Sequence, residues 1–303
     1  MPHRDQPVRF ALVDVFTDTP LAGNPLAVVP EGETIDEGLL PRIAREFNQS
    51  ETTFLFPPAG PAAERRLRSF TPAGKEVSGA GHNALGAWWW LAASGGLTLR
   101  DPRTRVCQEL GGRLLPLSIE SAAGRPTAIV MQQAPAVFGL IANNRSSLAH
   151  ALGLPPRALG PSELPPQVVS TGVPHLLVAV APRALAMVRP DHERLRDLLL
   201  GAGAQGCYVF SPTPGLRTAA TTRFFNPVAG IPEDPATGSA AGPLACYLRY
   251  YGLADDGSVR FAQGAETGRP SEIEIELHDD QVLLRGRAVV VAEGRLCLPP
   301  RSP

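Results

Sequence analysis

The chain has 303 residues and a mass of 32.1 kDa, enough for one large domain or two of ordinary size with real apolar cores. Its 28 Lys+Arg against 29 Asp+Glu leave a formal net charge of −1, so no whole-chain basic field exists to hold nucleic acid or an anionic membrane. Cys107, Cys207, Cys246 and Cys297 are scattered without paired spacing, which argues against a zinc knuckle, a redox CxxC or a disulfide scaffold and fits reduced thiols.

In chain order, Met1-Pro2-His3-Arg4-Asp5 has no apolar run behind it of the kind that marks an export signal, so a soluble cytoplasmic protein is expected. Val8 to Phe16 and Leu26 to Val29 read as strands rich in Val, Leu and Phe. Leu39, Leu40, Ile43 and Phe47 form one apolar stripe while Arg42, Arg45 and Glu46 face away, which predicts a helix ending near Asn48. Pro41 fits only in or near its first turn. Thr53 to Phe56 and Arg66 to Phe70 are the next strands, followed by an apolar helix from about His82 to Ala93, ended by Ser94-Gly95-Gly96. Its apolar run is too short to span a bilayer. Trp88, Trp89 and Trp90 cannot share one helical face, so one is expected to meet a partner domain or subunit. Further strands are expected at Leu114 to Ile119, Thr127 to Gln132, Val168 to Val180 and Ser271 to Val291, with a third helix opening near Gly238-Ser239 and running through Leu248. Pro, Gly and Asp turns between neighbouring strands favour antiparallel pairing, and helices are too few for a doubly wound parallel sheet.

A weak internal echo links two stretches. Phe70-Thr71-Pro72-Ala73-Gly74 leads to Gly81-His82 and an Ala/Leu/Trp helix, and Phe225-Asn226-Pro227-Val228-Ala229-Gly230 leads to Gly238-Ser239 and an Ala/Leu/Tyr helix. Two halves built alike are expected, with the boundary in Ser121-Ala122-Ala123-Gly124-Arg125-Pro126, giving domains 1–123 and 124–303.

The chain contains no GxxxxGK[ST], no HExxH and no clustered histidines, so metal and phosphate-loop chemistry have little support. A Schiff base would have to use Lys75, the only lysine, although a GC-rich genome is the plainer source of that bias. The two glycine-led helix starts, Gly81-His82 and Gly238-Ser239, would offer free N–H groups and positive dipole ends suited to a small carboxylate, yet such starts are common. Glu51, between a helix end and an apolar strand, is either a turn glutamate held by Ser50 and Thr52 or a carboxyl buried enough for general acid/base work. Glu233-Asp234 before the third helix is equally a cap or a site. His175 is expected to support the backbone of its Pro-His turn, and His150, His192 and His278 to lie at the surface or in turns.

Gly23-Asn24-Pro25-Leu26-Ala27-Val28-Val29, Asn48-Gln49-Ser50-Glu51-Thr52-Thr53-Phe54, Phe70-Thr71-Pro72, Gly81-His82, Thr171-Gly172-Val173-Pro174-His175, Glu233-Asp234-Pro235-Ala236-Thr237-Gly238-Ser239 and Gly268-Arg269-Pro270-Ser271 together closely resemble the phenazine-biosynthesis isomerase (PhzF-like) family, in the right order over nearly the whole chain. The resemblance implies the diaminopimelate-epimerase-like α+β fold: two similar domains, each a curled, mainly antiparallel sheet around a central helix, with the active site in the cleft between them. It implies Glu51 as the proton shuttle, assisted by His82, Asp234 and Ser239, and its motifs supply Asn24, Ser50, Gly81, Thr237 and Gly238 as substrate-binding candidates. A homodimer without cofactor or metal, acting on a small carboxylated metabolite, is implied too.

The related epimerases place a cysteine on each side of the substrate carbon, one thiolate taking the proton and one thiol returning it. Here those positions are Ala80 and Ser239, and the Asn of their Gly-Asn-Pro-His motif is Val173. Asn83 and the Trp88 to Trp90 segment also depart from the family archetype. A one-base isomerisation by Glu51 of a carboxylated, unsaturated metabolite is therefore the expected function. A protein that only binds a metabolite or partner on the same fold, and an amino-acid epimerase or dehydratase, are the alternatives.

Overall fold

The strands form where β-branched and aromatic residues concentrate, as in Glu51-Thr52-Thr53-Phe54-Leu55-Phe56, whose last five residues are all buried. The structure, a computed structural model, describes residues 7–213 and 217–299, so the expectation for Met1 to Asp5 lies outside the described residues. The first eight strands are β1 (Val8–Val15), β2 (Asn24–Val29), β3 (Glu51–Phe56), β4 (Arg65–Phe70), β5 (Glu76–Val77), β6 (Arg103–Leu110), β7 (Arg113–Ala122) and β8 (Arg125–Gln133). Helix α1 (Leu40–Phe47) precedes β3 and α2 (His82–Ala93) precedes β6. The next nine are β9 (Val137–Ile141), β10 (Gln167–Ser170), β11 (Pro174–Ala179), β12 (Gly206–Pro212), β13 (Ala220–Asn226), β14 (Ile231–Asp234), β15 (Gly257–Gln263), β16 (Ser271–His278) and β17 (Gln281–Gly286). Among them lie α3 (Arg145–Ala151), α4 (Pro182–Leu185), α5 (His192–Ala202) and α6 (Gly238–Tyr250), and β18 (Ala288–Leu296) is the last element among the described residues.

Packing divides the chain into one unit of residues 1–131 with 286–303 and a second of residues 132–285. The expected boundary at 123/124 coincides with the tip of the β7–β8 hairpin, where Ala123 and Gly124 both take positive φ, and the ladder from Leu117↔Met131 to Ala122↔Arg125 keeps both strands together. The chain therefore leaves the first unit eight residues later. It returns at its end because β18 pairs with β1 from Val8↔Leu296 to Val15↔Ala288, a long-range pairing without local signature.

The echo in sequence corresponds to a repeat in topology. In the first unit β1–β2 is antiparallel, β2–β3 parallel, β3–β4 and β4–β5 antiparallel, β4–β6 parallel, and β6–β7 and β7–β8 antiparallel. The second unit repeats the same order of senses from β10–β11 through β11–β12, β12–β13, β13–β14, β13–β15 and β15–β16 to β16–β17. An additional antiparallel strand joins each first strand, β18 on β1 and β9 on β10.

Each sheet wraps one buried helix. Strands from different parts of the first sheet, β1, β2, β3, β7 and β18, all pack on α2, and nine of its twelve residues are buried. Such a helix is apolar nearly all round rather than amphipathic. In the second unit α6 packs on β10, β11 and β16 with ten of thirteen residues buried. The opposite faces carry separate cores. Ile43 and Ala44 of α1 cover Phe54, Phe56 and Phe70, and α3, α4 and α5 supply Leu148, Leu185, Leu195 and Leu199 against Leu176, Val178 and Val209. This is the expected α+β architecture.

Local expectations fare according to their range. Asn48 ends α1 in the left-handed conformation, with Pro41 in the first turn, and Ser94 caps α2. Val168 to Val180 is two strands split by a turn at 171–173, and Ser271 to Val291 spans three. Trp88 is buried and donates to Gln108 Oε1 at 2.9 Å, and Trp90 is buried and donates to Glu293 Oε1 at 3.0 Å. Trp89 alone of the three is half-buried. No helix among the described residues is long and apolar enough to cross a membrane.

Candidate active site

In the first unit the alternation of a strand places the candidate acid. Thr52, Phe54 and Phe56 are the even-numbered residues of β3, and the two phenylalanines face the α1 core. Glu51, Thr53 and Leu55 therefore point to the α2 side. Thr53 Oγ1 lies 2.9 Å from Ser69 Oγ on β4, and Asn83 Nδ2 in the first turn of α2 donates to the same oxygen at 3.1 Å. This chain of bonds ties the strand bearing Glu51 to the start of α2. Glu51 opens β3 opposite Leu26 and is half-buried, and Ser50 beside it is half-buried in a bend. Thr52 does not hold it: the Thr52 hydroxyl is on the other face and has no hydrogen-bond partner among the described residues. Asn24 is fully buried at the start of β2, paired with Val15.

The helix start is organised by Asn83. Its Oδ1 accepts the Gly81 N–H at 2.7 Å and its Nδ2 also donates to the Gly79 carbonyl at 3.0 Å. The N–H of Gly81 is thus used internally, and the donors that α2 leaves unmatched begin with His82. His82 is the first helical residue. Its Nε2 is buried without a hydrogen-bond partner among the described residues, and burial pushes its pKa down to about 4. The ring is therefore neutral at neutral pH and keeps one nitrogen open.

In the second unit a set of glutamines and hydroxyls fixes the turn into α6. Asp234 is buried at the end of β14, paired with Phe224, and accepts the Thr237 hydroxyl on Oδ2. Gln263 on β15 donates to the Asp234 carbonyl at 2.7 Å and to Thr237 Oγ1 at 3.1 Å, and accepts the Thr237 N–H at 3.2 Å and the Tyr208 hydroxyl at 2.9 Å. Gln133 donates to the Gly238 carbonyl at 2.9 Å while accepting the Thr171 hydroxyl at 2.6 Å. Ser239 is half-buried in the first turn of α6, its Oγ 3.2 Å from His175 Nε2. Glu233 is engaged elsewhere, because Arg223 grips both its oxygens at 2.7 and 2.8 Å and also donates to the Leu185 and Val188 carbonyls.

Thus the strand that carries Glu51, with Ser50 just before it, is tied through Thr53, Ser69 and Asn83 to the helix start of Gly81 and His82, and Asp234, Thr237, Gly238 and Ser239 lie together at the start of α6 in the second unit. Residues for which the sequence motifs implied no role at the site hold both in place: Ser69, Thr53 and Asn83 in the first, Gln133, Thr171 and Gln263 in the second. His175 departs from its expectation. It is buried beside Ser239 because it lies on the α6 side of the central strand β11. His150, His192 and His278 are exposed. Lys75 is exposed as well. Cys207 and Cys246 are buried, which pushes both thiols up, away from thiolate chemistry. Among the described residues no group of three or more His, Cys, Asp or Glu could hold a metal ion.

The family model described as phenazine biosynthesis-like protein, PhzC-PhzF, matches residues 13–294. Trans-2,3-dihydro-3-hydroxyanthranilate isomerase of Pseudomonas aeruginosa is 33% identical over 297 residues, which span 96% of this chain and 99% of that protein. A phenazine biosynthesis protein of the PhzF family from Bacillus anthracis has a TM-score of 0.84 at 26% identity, covering 97% of this chain and all of its own. A hydroxyproline epimerase from Agrobacterium vitis has a TM-score of 0.62 at 13% identity, covering 96% of this chain and 92% of its own, a likeness of fold alone.

Proposed function

This chain belongs to the PhzC-PhzF family of phenazine biosynthesis-like proteins, and on that premise we propose that it is a cofactor-independent isomerase in which Glu51 moves a proton between two carbons of a small carboxylated, unsaturated metabolite. The observation that carries this reading is the position of Glu51: half-buried, on the α2-facing side of β3, a strand tied through Thr53, Ser69 and Asn83 to the helix start that bears His82.

The chemistry balances without a second base. Ionised Glu51 takes a proton from carbon, and the electron pair left behind spreads through the conjugated system toward the substrate carboxylate. The protonated Glu51 returns the same proton to another carbon on the same face, so the product is an isomer. Unmatched N–H groups at helix starts stabilise the developing charge. In α2 these are the donors from His82 onward, since Gly81 N–H is taken by Asn83. Neutral His82 offers its open nitrogen to a substrate hydroxyl or amino group. A two-thiol racemase is disfavoured by Ala80 and Ser239 at the positions where related epimerases need cysteine. We further infer a cytoplasmic homodimer; sedimentation of the purified protein tests the dimer, and fractionation of cells tests the location.

The test of the activity is direct. Trans-2,3-dihydro-3-hydroxyanthranilate and other carboxylated cyclic dienes are incubated with the protein in deuterated water, and double-bond position and isotope content are followed by NMR. Migration of the double bond by wild type, with a loss of about 10²- to 10⁴-fold in Glu51→Gln, supports the reading. Binding without turnover would mark a metabolite-binding protein instead.

A further inference from the structure

His175 is a buried titratable group that the reaction as written does not use. It lies on β11, flanked by Val169 of β10 and Gly206 of β12, and is only 2% exposed. Phe224 meets the imidazole edge-on, with ring centroids 5.1 Å apart and planes at 89°. Gly206 permits that contact: a Cβ there would stand 2.3 Å from Phe224 Cζ, so the ring occupies the space a side chain would fill. The imidazole is thereby seated, with two nitrogens in unlike surroundings. Nε2 lies 3.2 Å from Ser239 Oγ. Nδ1 is buried with no hydrogen-bond partner among the described residues.

These surroundings select a tautomer. A proton on Nδ1 would bury an unmatched N–H donor, the rarest kind of orphan in folded proteins. A proton on Nε2 has an acceptor in Ser239 Oγ and leaves only a bare lone pair at Nδ1. Protonation of both nitrogens would bury an unpaired charge, and burial accordingly pushes this pKa down to about 3.

We propose that His175 is a positioning residue for Ser239: as a neutral Nε2–H imidazole it donates to Ser239 Oγ and so directs the hydroxyl's own proton away from β11, to be given to an anionic group of the substrate. Ser239 is then a hydrogen-bond donor and has no base to deprotonate it, at the position where related epimerases keep a reactive thiol. This deepens the isomerase reading and rests on it for the word substrate; the tautomer does not.

The tautomer is read from two-bond ¹H–¹⁵N correlations of protein labelled with ¹⁵N-histidine. One imidazole is expected with an unprotonated Nδ1 and a protonated Nε2, unchanged from pH 5 to 8, its Nε2 resonance shifted in Ser239→Ala and absent in His175→Gln. An Nδ1–H tautomer, or titration of that ring within the same range, overturns the inference. Kinetics supply the second arm. His175→Leu and Ser239→Ala should each raise KM or lower kcat about tenfold, the loss of one charge-assisted hydrogen bond. The double variant should be no worse than either single one, and His175→Gln, whose amide keeps a donor, should recover most of the loss. Additive losses, or no recovery by glutamine, overturn it too. A wild type without turnover counts against the isomerase reading only, because the NMR result decides the tautomer independently.

Discussion

His82 and His175 make stability depend on pH through the same physical cause, an imidazolium that would lose its hydration on burial. Their folded pKa values, about 4 and about 3, lie below the ordinary 6.5. Below that value the unfolded chain binds protons that the folded chain refuses, so stability is full above it and is lost as the pH falls toward the folded values. The loss by pH 5 is about 2 kcal/mol for fully buried His175 and less for half-buried His82. Urea unfolding at pH 7 and pH 5 checks this: the drop in stability should be smaller in His175→Gln and His82→Asn than in wild type. An equal drop contradicts it. At this scale the candidate site residues were legible through the family motifs, because Glu51, His82, Asp234 and Ser239 each stand in a local run of characteristic residues. His175 was not, since the partner that gives it a role is 64 residues away and a Pro-His pair reads locally as a turn.

The start of α6 shows how an element is held by residues remote in sequence. A Cβ on Gly242 would fall 1.8 Å from Gln133 Oε1, the atom that accepts from Thr171. Gly242→Ala should therefore displace the Gln133 amide from both Thr171 and the Gly238 carbonyl, costing about 1–3 kcal/mol. Thermal unfolding measures the cost, and an unchanged midpoint contradicts it. The turn before α6 depends likewise on Arg223 and Glu233, whose side chains are 5% and 19% exposed. Glu233→Ala leaves the guanidinium with only its two carbonyl acceptors and should destabilise by about 3–5 kcal/mol, whereas a loss below about 1 kcal/mol would place the pair with exposed ones. Periodicity and capping residues made α1, α2 and α6 legible. Strands such as β6, β13 and β15 escaped, because mixed polar and apolar residues there take their pattern from sheet neighbours rather than from local propensity.

Over the whole chain, the weak echo between Gly74 and Gly230 proves to be the visible part of an eight-strand topology used twice, while the crossing of the C-terminus back to β1 left no trace in composition. Strand β18 supplies β1 with an antiparallel neighbour along its full length, and its Glu293 accepts from Trp90 of α2. Deleting residues 287–303 should therefore expose β1 and α2 to hydrogen exchange, while Trp90→Phe, which removes one hydrogen bond, should cost only about 1 kcal/mol. Native protection of β1 in the truncated chain would refute that account. Proton transfer by Glu51 is the activity proposed, and isotope content tests it most directly. With an active carboxylated diene in deuterated water, wild type should shift the double bond and retain some substrate-derived proton at the new carbon, since one shielded carboxyl carries it. Glu51→Gln should do neither. Turnover by Glu51→Gln equal to that of wild type would contradict the central claim.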